Sequence, residues 1–159
     1  KGVEEVLRAF AGQNAVALYV FGEGDLAYLV EEYAKDNSHI MYFGKVSEQE
    51  VVNSIRDSAF IIAHPMFEEP FGRYILHSLA TLKPLISSYS GAVSELVRNR
   101  ENGLLIKKGD IPSLIKAIHE LMSDNSLYEK IIDNLVAERS DFQIEKVAKI
   151  RLNILSRKL

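Results

Sequence analysis

The sequence predicts an α/β fold: a Rossmann-like parallel sheet with helices on both faces and a C-terminal helical tail. Three observations predict it. Helical apolar spacing alternates with short continuous apolar runs along the chain. Those runs lack alternation with polar residues, as strands do when both faces of a sheet are covered. After the last run, at Leu104–Ile106, only amphipathic helical patterns follow.

Taken in order, Val3, Val6, Leu7 and Phe10 fall at helical spacing, and residues 15–21 form an apolar run ending at Gly22. Leu26, Leu29, Val30 and Tyr33 repeat the helical face, and a second run at 40–43 ends at Gly44. Ser47 with Glu50 three residues on is a capping box that opens a helix whose buried face is Val51, Val52 and Ile55. Residues 59–63, Leu85–Ser88 and Leu104–Ile106 supply three more strands, with a helix from Arg73 to Leu82 between the first two. Ile111, Leu114, Ile115, Ile118, Leu121 and Met122 mark an amphipathic helix; Asp124 or Asn125 breaks it, and 127–137 and 144–155 supply two more. There is no internal repeat and no linker, so residues 1–159 read as one domain. Doubly wound sheets usually start with a strand, whereas this chain starts with a helix. The expectation is therefore a six-stranded sheet whose first strand lies upstream of Lys1.

Composition fits a single soluble domain with a core, since 47% of the 159 residues are apolar and 26% charged. The absence of Cys removes disulfides, thiolate metal sites and a cysteine nucleophile. A net charge of -3 gives no electrostatic reason to expect nucleic acid as a partner. No apolar run approaches the ~20 residues of a membrane span. The chain opens Lys1-Gly2-Val3 without an initiator Met, which leaves a targeting segment open.

Ligands of open α/β sheets bind in the crevice beyond the carboxyl ends of the strands. That directs attention to Gly22-Glu23-Gly24, to Gly44-Lys45-Val46, and to the loop from His64 to Gly72 that precedes the helix starting at Arg73. A Gly beside a helix N-terminus lets backbone N–H groups approach an anion, and the helix dipole favours negative charge there. Phosphate is the natural candidate, with an ordinary turn as the bland alternative. His39, His64 and His119 lack metal-ligand spacing, so no metal site is expected. Ser87, Ser88 and Ser90 have no G-x-S-x-G elbow around them, which argues against hydrolase chemistry.

Glu69-Pro70-Phe71-Gly72, then Leu76 to Ala80, then Lys83-Pro84-Leu85-Ile86 resemble the donor-binding half of a GT-B glycosyltransferase, most closely the retaining family 4 enzymes. Gly91 and Glu95, Glu101-Asn102-Gly103-Leu104-Leu105-Ile106 and Gly109-Asp110 continue the pattern, and Lys1-Gly2, Val20 to Gly24 and Phe43 to Ser47 match it upstream. The resemblance covers practically the whole chain in order. It implies that Lys1 pairs with a donor pyrophosphate, that Gly22 and Gly24 let a nucleotide lie close, and that residues around Gly44 to Val46 frame the base. It implies further that N–H groups near Phe71, Gly72 and Arg73 cradle phosphate or sugar, and that Glu69 contacts the transferred sugar where charge develops. Several positions differ from the pattern: His77 stands where a Glu accepts from ribose hydroxyls, Leu82 where a Gly ends the helix, Ala92 in a Gly-Gly pair, and Tyr89 and Phe60 where Asp is common. Neutral imidazole offers one acceptor nitrogen, enough for one hydroxyl but not for a bidentate diol. His77 thus reads as a ribose contact, a helix-surface histidine or a satisfied buried one.

The resulting expectation is the C-terminal, nucleotide-sugar-binding domain of a two-domain enzyme. Such an enzyme transfers a sugar from a UDP- or GDP-linked donor with retention, without metal or other cofactor. Its acceptor domain would lie N-terminal and outside this chain, leaving the isolated domain inactive. The alternative is a degenerate, non-catalytic relative acting as a binding or assembly subunit. A cytoplasmic location is expected, and the basic residues of the tail (Lys146, Lys149, Arg151, Arg157, Lys158) read as a solvated face or as a contact with acidic lipid.

Overall fold

A computed structural model describes residues 1–139. The elements are α1 (Val3–Ala11), β1 (Leu18–Val20), α2 (Ala27–Asp36), β2 (Ile40–Tyr42), α3 (Glu48–Asp57), β3 (Ile61–Ala63), α4 (Arg73–Thr81), β4 (Leu85–Ser88), α5 (Gly91–Leu96), β5 (Leu104–Ile106), α6 (Ile111–Ser123) and α7 (Asn125–Arg139). Every named strand pairing is parallel. The predicted helix at 144–155 and the basic tail residues lie outside the described residues.

The strands separate the core into two faces. Successive strand side chains point to opposite sides, and Leu85 and Ile86 accordingly belong to different apolar clusters. Ile86, Leu104 and Ile106 join Leu7, Phe10, Leu114 and Ile118 in the larger cluster, whereas Leu85 and Leu105 join Ile75, Val93 and Val97 in the smaller. Strand β4 is buried along its whole length between β3 and β5. Full burial of an aliphatic side chain of this kind stabilises by roughly 1.5–3 kcal/mol. Helix α1 packs on α2 and α6, and α4 packs on α3 and α7.

A local signal acts as the sequence predicts at the start of α3, and an N-cap not singled out from sequence opens α6. Ser47 and Glu50 form the capping box, with Ser47 N donating to Glu50 Oε2 at 2.8 Å. Asp110 accepts from Ser113 N at 2.9 Å with Pro112 in the first turn of α6. Asp124 divides α6 from α7 and accepts from Leu127 N at 2.9 Å.

Three features differ from the sequence expectation. Helix α5 is additional: at six residues it is too short to show a helical period, and its buried side chain is Val93. The runs at 15–21 and 59–63 contain strands of only three residues, Leu18–Val20 and Ile61–Ala63. Most consequentially, the five strands do not form one sheet. They form a β1–β2 pair and a β3–β4–β5 sheet, with no ladder between β1 and β3. Between them runs a cavity of about 630 Å³ lined by β1 and β3 together with residues of α1 and α3.

Candidate functional site

The carboxyl ends of β1, β2 and β3 carry the three loops singled out from sequence. Gly22 N donates to Gly44 O at 2.7 Å, Tyr42 OH to Gly22 O at 2.8 Å, and Lys45 Nζ to Glu23 at 2.6 Å. These bonds join the β1 and β2 loops, so Gly22, Gly24, Gly44 and Val46 border one region. Phe21 and Phe43 stack above it with ring centroids 5.0 Å apart.

The loop after β3 is clamped by the segment after β4. Ser90 Oγ accepts from Glu69 N at 2.8 Å and donates to Phe67 O, and Glu69 O accepts from Ala92 N at 3.0 Å. Gly91 has φ 37°, and a Cβ there would collide with the Glu69 carbonyl. Glycine at 91 therefore lets α5 approach Glu69 closely, in a backbone region side-chain-bearing residues rarely adopt. Glu69 lines the cavity together with Lys1, Tyr74 and His77. Glu68, the neighbour of Glu69, is exposed yet not idle. It accepts from Gly91 N at 2.7 Å and pairs with Lys108, and the Lys108 bond holds its carboxyl below the usual carboxylate range.

Gly72, N-cap of α4, is buried because the Tyr74 ring folds over it; a Cβ at 72 would strike that ring. The Tyr74 hydroxyl is pushed up to about 12 by burial and by the neighbouring Glu69 charge. It and Ser87 Oγ are buried without a well-formed hydrogen-bond partner, as is His64 Nδ1. Phe71 and Arg73 are exposed at the start of α4.

His77, one turn along α4, is neither a free surface histidine nor a core one. Its Nε2 lies 2.7 Å from Glu48 Oε1, and Arg73 Nη1 lies 3.2 Å from Glu48 Oε2. The His77 hydrogen bond, with Arg73 helping, lowers the Glu48 pKa. A carboxylate accepts only, so the His77 ring must donate through Nε2–H. His64 is buried, and its Nε2 accepts from Gly109 N at 3.0 Å, a packing role. Tyr89 borders solvent at 47% exposure.

Structure thus brings Lys1, Glu69 and His77 to one cavity and joins His77 to Arg73 through Glu48. Sequence reasoning did not single out Glu48, Tyr74 or the Ser90 clamp. Glu48 is visible in sequence only as an acid in the first turn of α3, and its partner is 29 residues away. Among the described residues no group of three or more His, Asp or Glu side chains stands together as a metal would require, and no helix is long and apolar enough to cross a membrane.

A parallel α/β domain with glycine-bordered loops at its strand ends is of the Rossmann-like class. Comparison with known proteins defines it further. The family model for glycosyl transferases group 1 matches residues 1–136, and the chain belongs to that family. An uncharacterized glycosyltransferase of Methanocaldococcus jannaschii is 30% identical over 129 residues, 80% of this chain and 36% of the relative. The lipopolysaccharide core biosynthesis glycosyltransferase LpsE of Rhizobium meliloti is 26% identical over 136 residues, 84% of this chain and 39% of the relative. In structure the chain is similar to Anabaena HepE, solved in complex with UDP-glucose. The TM-score is 0.82 at 21% identity, over 99% of this chain and 45% of that one. The Rossmann-like α/β fold expected from sequence is therefore the one observed. The chain spans well under half the length of each of these proteins.

Proposed function

We propose that this chain is the donor-binding domain of a two-domain retaining glycosyltransferase of the family 4 type, moving a sugar from a nucleotide diphosphate sugar to an acceptor held by an N-terminal domain. The observation that carries the reading is the clamp on Glu69. Both backbone polar groups of Glu69 are bonded, to Ser90 and Ala92, and Glu69 is among the residues that line the cavity with Lys1 and His77. A fixed carboxylate where positive charge develops, opposite cations where the diphosphate leaves, is the electrostatic arrangement such a reaction needs. Lys1 and the N–H groups from Phe71 to Arg73 serve the diphosphate; Gly22, Gly24, Gly44 and Val46 border the nucleoside. On this reading no metal ion is needed, because Lys1, Arg73 and a helix N-terminus supply the positive potential. UDP is the first nucleotide to try, since HepE was solved with UDP-glucose.

The two-domain reading is supported by the partial coverage of longer relatives and by the cavity between the half-sheets. Gly2 lies against the His64 carbonyl just past β3, and Lys1 lines the cavity. A segment running through the cavity into Lys1 would therefore lie parallel to β1 and β3 and continue into α1 as a right-handed βα unit.

Calorimetric titration of the two-domain protein with UDP-glucose and GDP-mannose tests the donor reading. Saturable binding of at least one is expected. Absence of binding to both at millimolar donor would overturn it and favour the non-catalytic alternative, for which His77 in a carboxylate position is the supporting observation.

A further inference from the structure

We propose that Glu48 is a positioning residue for nucleotide binding: by accepting from His77 Nε2–H it fixes the ring tautomer and leaves Nδ1 as the acceptor for a ribose hydroxyl. The inference rests on the nucleotide-sugar reading above and assigns that site a residue that reading does not include.

Three facts carry it. Glu48 opens α3 immediately after the Gly44–Val46 loop, and His77 sits one turn into α4, so the pair spans the two helices that flank the crevice. The two side chains meet at 2.7 Å, with the His77 side chain 19% exposed and lining the cavity that Lys1 and Glu69 share. Arg73 holds the second Glu48 oxygen at 3.2 Å, so the carboxylate is oriented from both sides. An imidazole alone would divide its proton between two nitrogens. An ionised carboxylate on Nε2 removes that ambiguity and makes Nδ1 the ring's remaining polar atom. The geometry thus replaces one carboxylate on α4 with a carboxylate–imidazole pair shared between α3 and α4.

The pair predicts a sign reversal. Replacing His77 by Glu would set two carboxylates at the 2.7 Å contact now made by Nε2 and Oε1, and like charges so close disfavour ionisation of both. His77→Glu alone should therefore weaken nucleotide binding, and adding Glu48→Gln should restore it. In the wild-type background the same Glu48→Gln change should do harm.

The test is calorimetric binding of UDP and of its 2′,3′-dideoxy analogue to the full-length protein and to E48Q, H77E and E48Q/H77E, with 15N spectra of the histidine rings. Glu48→Gln should weaken UDP binding roughly tenfold, the worth of one charge-assisted hydrogen bond. It should also bring the affinities for the two ligands together, and move the His77 ring from the Nε2–H form to a mixture. The double variant should bind UDP more tightly than H77E. The proposal falls if E48Q matches the wild type in UDP affinity, in preference for the ribose hydroxyls or in ring tautomer. Failure of the wild type to bind UDP at all is a separate result, which takes down the nucleotide reading as well.

Discussion

His64 shows how one buried side chain fixes its own chemistry. Gly109 N–H donates to Nε2, so the neutral ring carries its proton on Nδ1, and that N–H is buried without a partner. Burial lowers the His64 pKa from its ordinary 6.5, against the opposing attraction of Glu5 and Asp110. The unfolded chain takes up a proton on this histidine near pH 6.5, the folded chain only at lower pH. Between those values the unfolded state holds more protons, so stability falls as pH falls. Protonating Nε2 would also cost the Gly109 bond. His64→Gln, which keeps an acceptor for Gly109 but no titrating ring, should show a shallower loss of stability from pH 7 to 5.5. Urea midpoints of the two proteins at each pH measure it, and parallel slopes would refute the assignment. From sequence alone His64 was legible as a residue at a strand end, and its preference for packing could be argued. Its tautomer could not, because Gly109 lies 45 residues away.

Element boundaries divide what local chemistry encodes from what packing imposes. The capping box at Ser47 and the break at Asp124 were readable because each uses a partner three residues on. Helix α5 was not, since six residues from Gly91 to Leu96 hold their shape through Val93 and contacts with the Glu69 loop. The end of α4 lies between these cases. Sequence placed Leu82 where a glycine would suit, and Leu82 indeed adopts φ 57°, ψ 41°, the left-handed cap conformation. The side chain packs partly against the larger core cluster, which retains it despite backbone strain of roughly 1–2 kcal/mol. Two truncations separate the terms. Leu82→Ala loses the packing and keeps the strain, whereas Leu82→Gly loses the packing and relieves it. The glycine variant should therefore be the more stable by about 1 kcal/mol, the reverse of the usual order in a helix interior. Thermal or urea unfolding of both variants decides it, and an alanine variant equal to or better than glycine would show that Leu82 is unstrained.

At the scale of the whole molecule, parallel strands need neighbours, and of the five described strands only β4 is paired on both edges, while β1 and β3 turn an unpaired edge to the cavity. The opening helix alone led to the expectation of a strand upstream of Lys1, and sequence could not say where in the strand order it would stand, because that order depends on pairings between distant segments. Leu18 N donates to His39 O and Ile61 N to Pro84 O, so both amides point away from the cavity. Successive amides in a strand face opposite edges, which turns the N–H groups of Tyr19 and Ile62 toward it. A buried backbone amide without an acceptor is costly, and the apolar wall formed by Val6, Phe10, Val20 and Phe60 favours an extended apolar segment over water in this space. If the polypeptide preceding Lys1 supplies that segment, hydrogen exchange will report it residue by residue. In the 159-residue chain Tyr19 and Ile62 should exchange rapidly while Leu18 and Ile61 are protected. In a longer form carrying the natural residues before Lys1, Tyr19 and Ile62 should slow by at least about a hundredfold, joining the most protected class. Equal protection of all four amides in the shorter chain would mean that β1 and β3 close on each other without a strand between them. Rapid exchange of Tyr19 and Ile62 in both forms would place the preceding polypeptide elsewhere, and would remove the cavity as support for the two-domain reading.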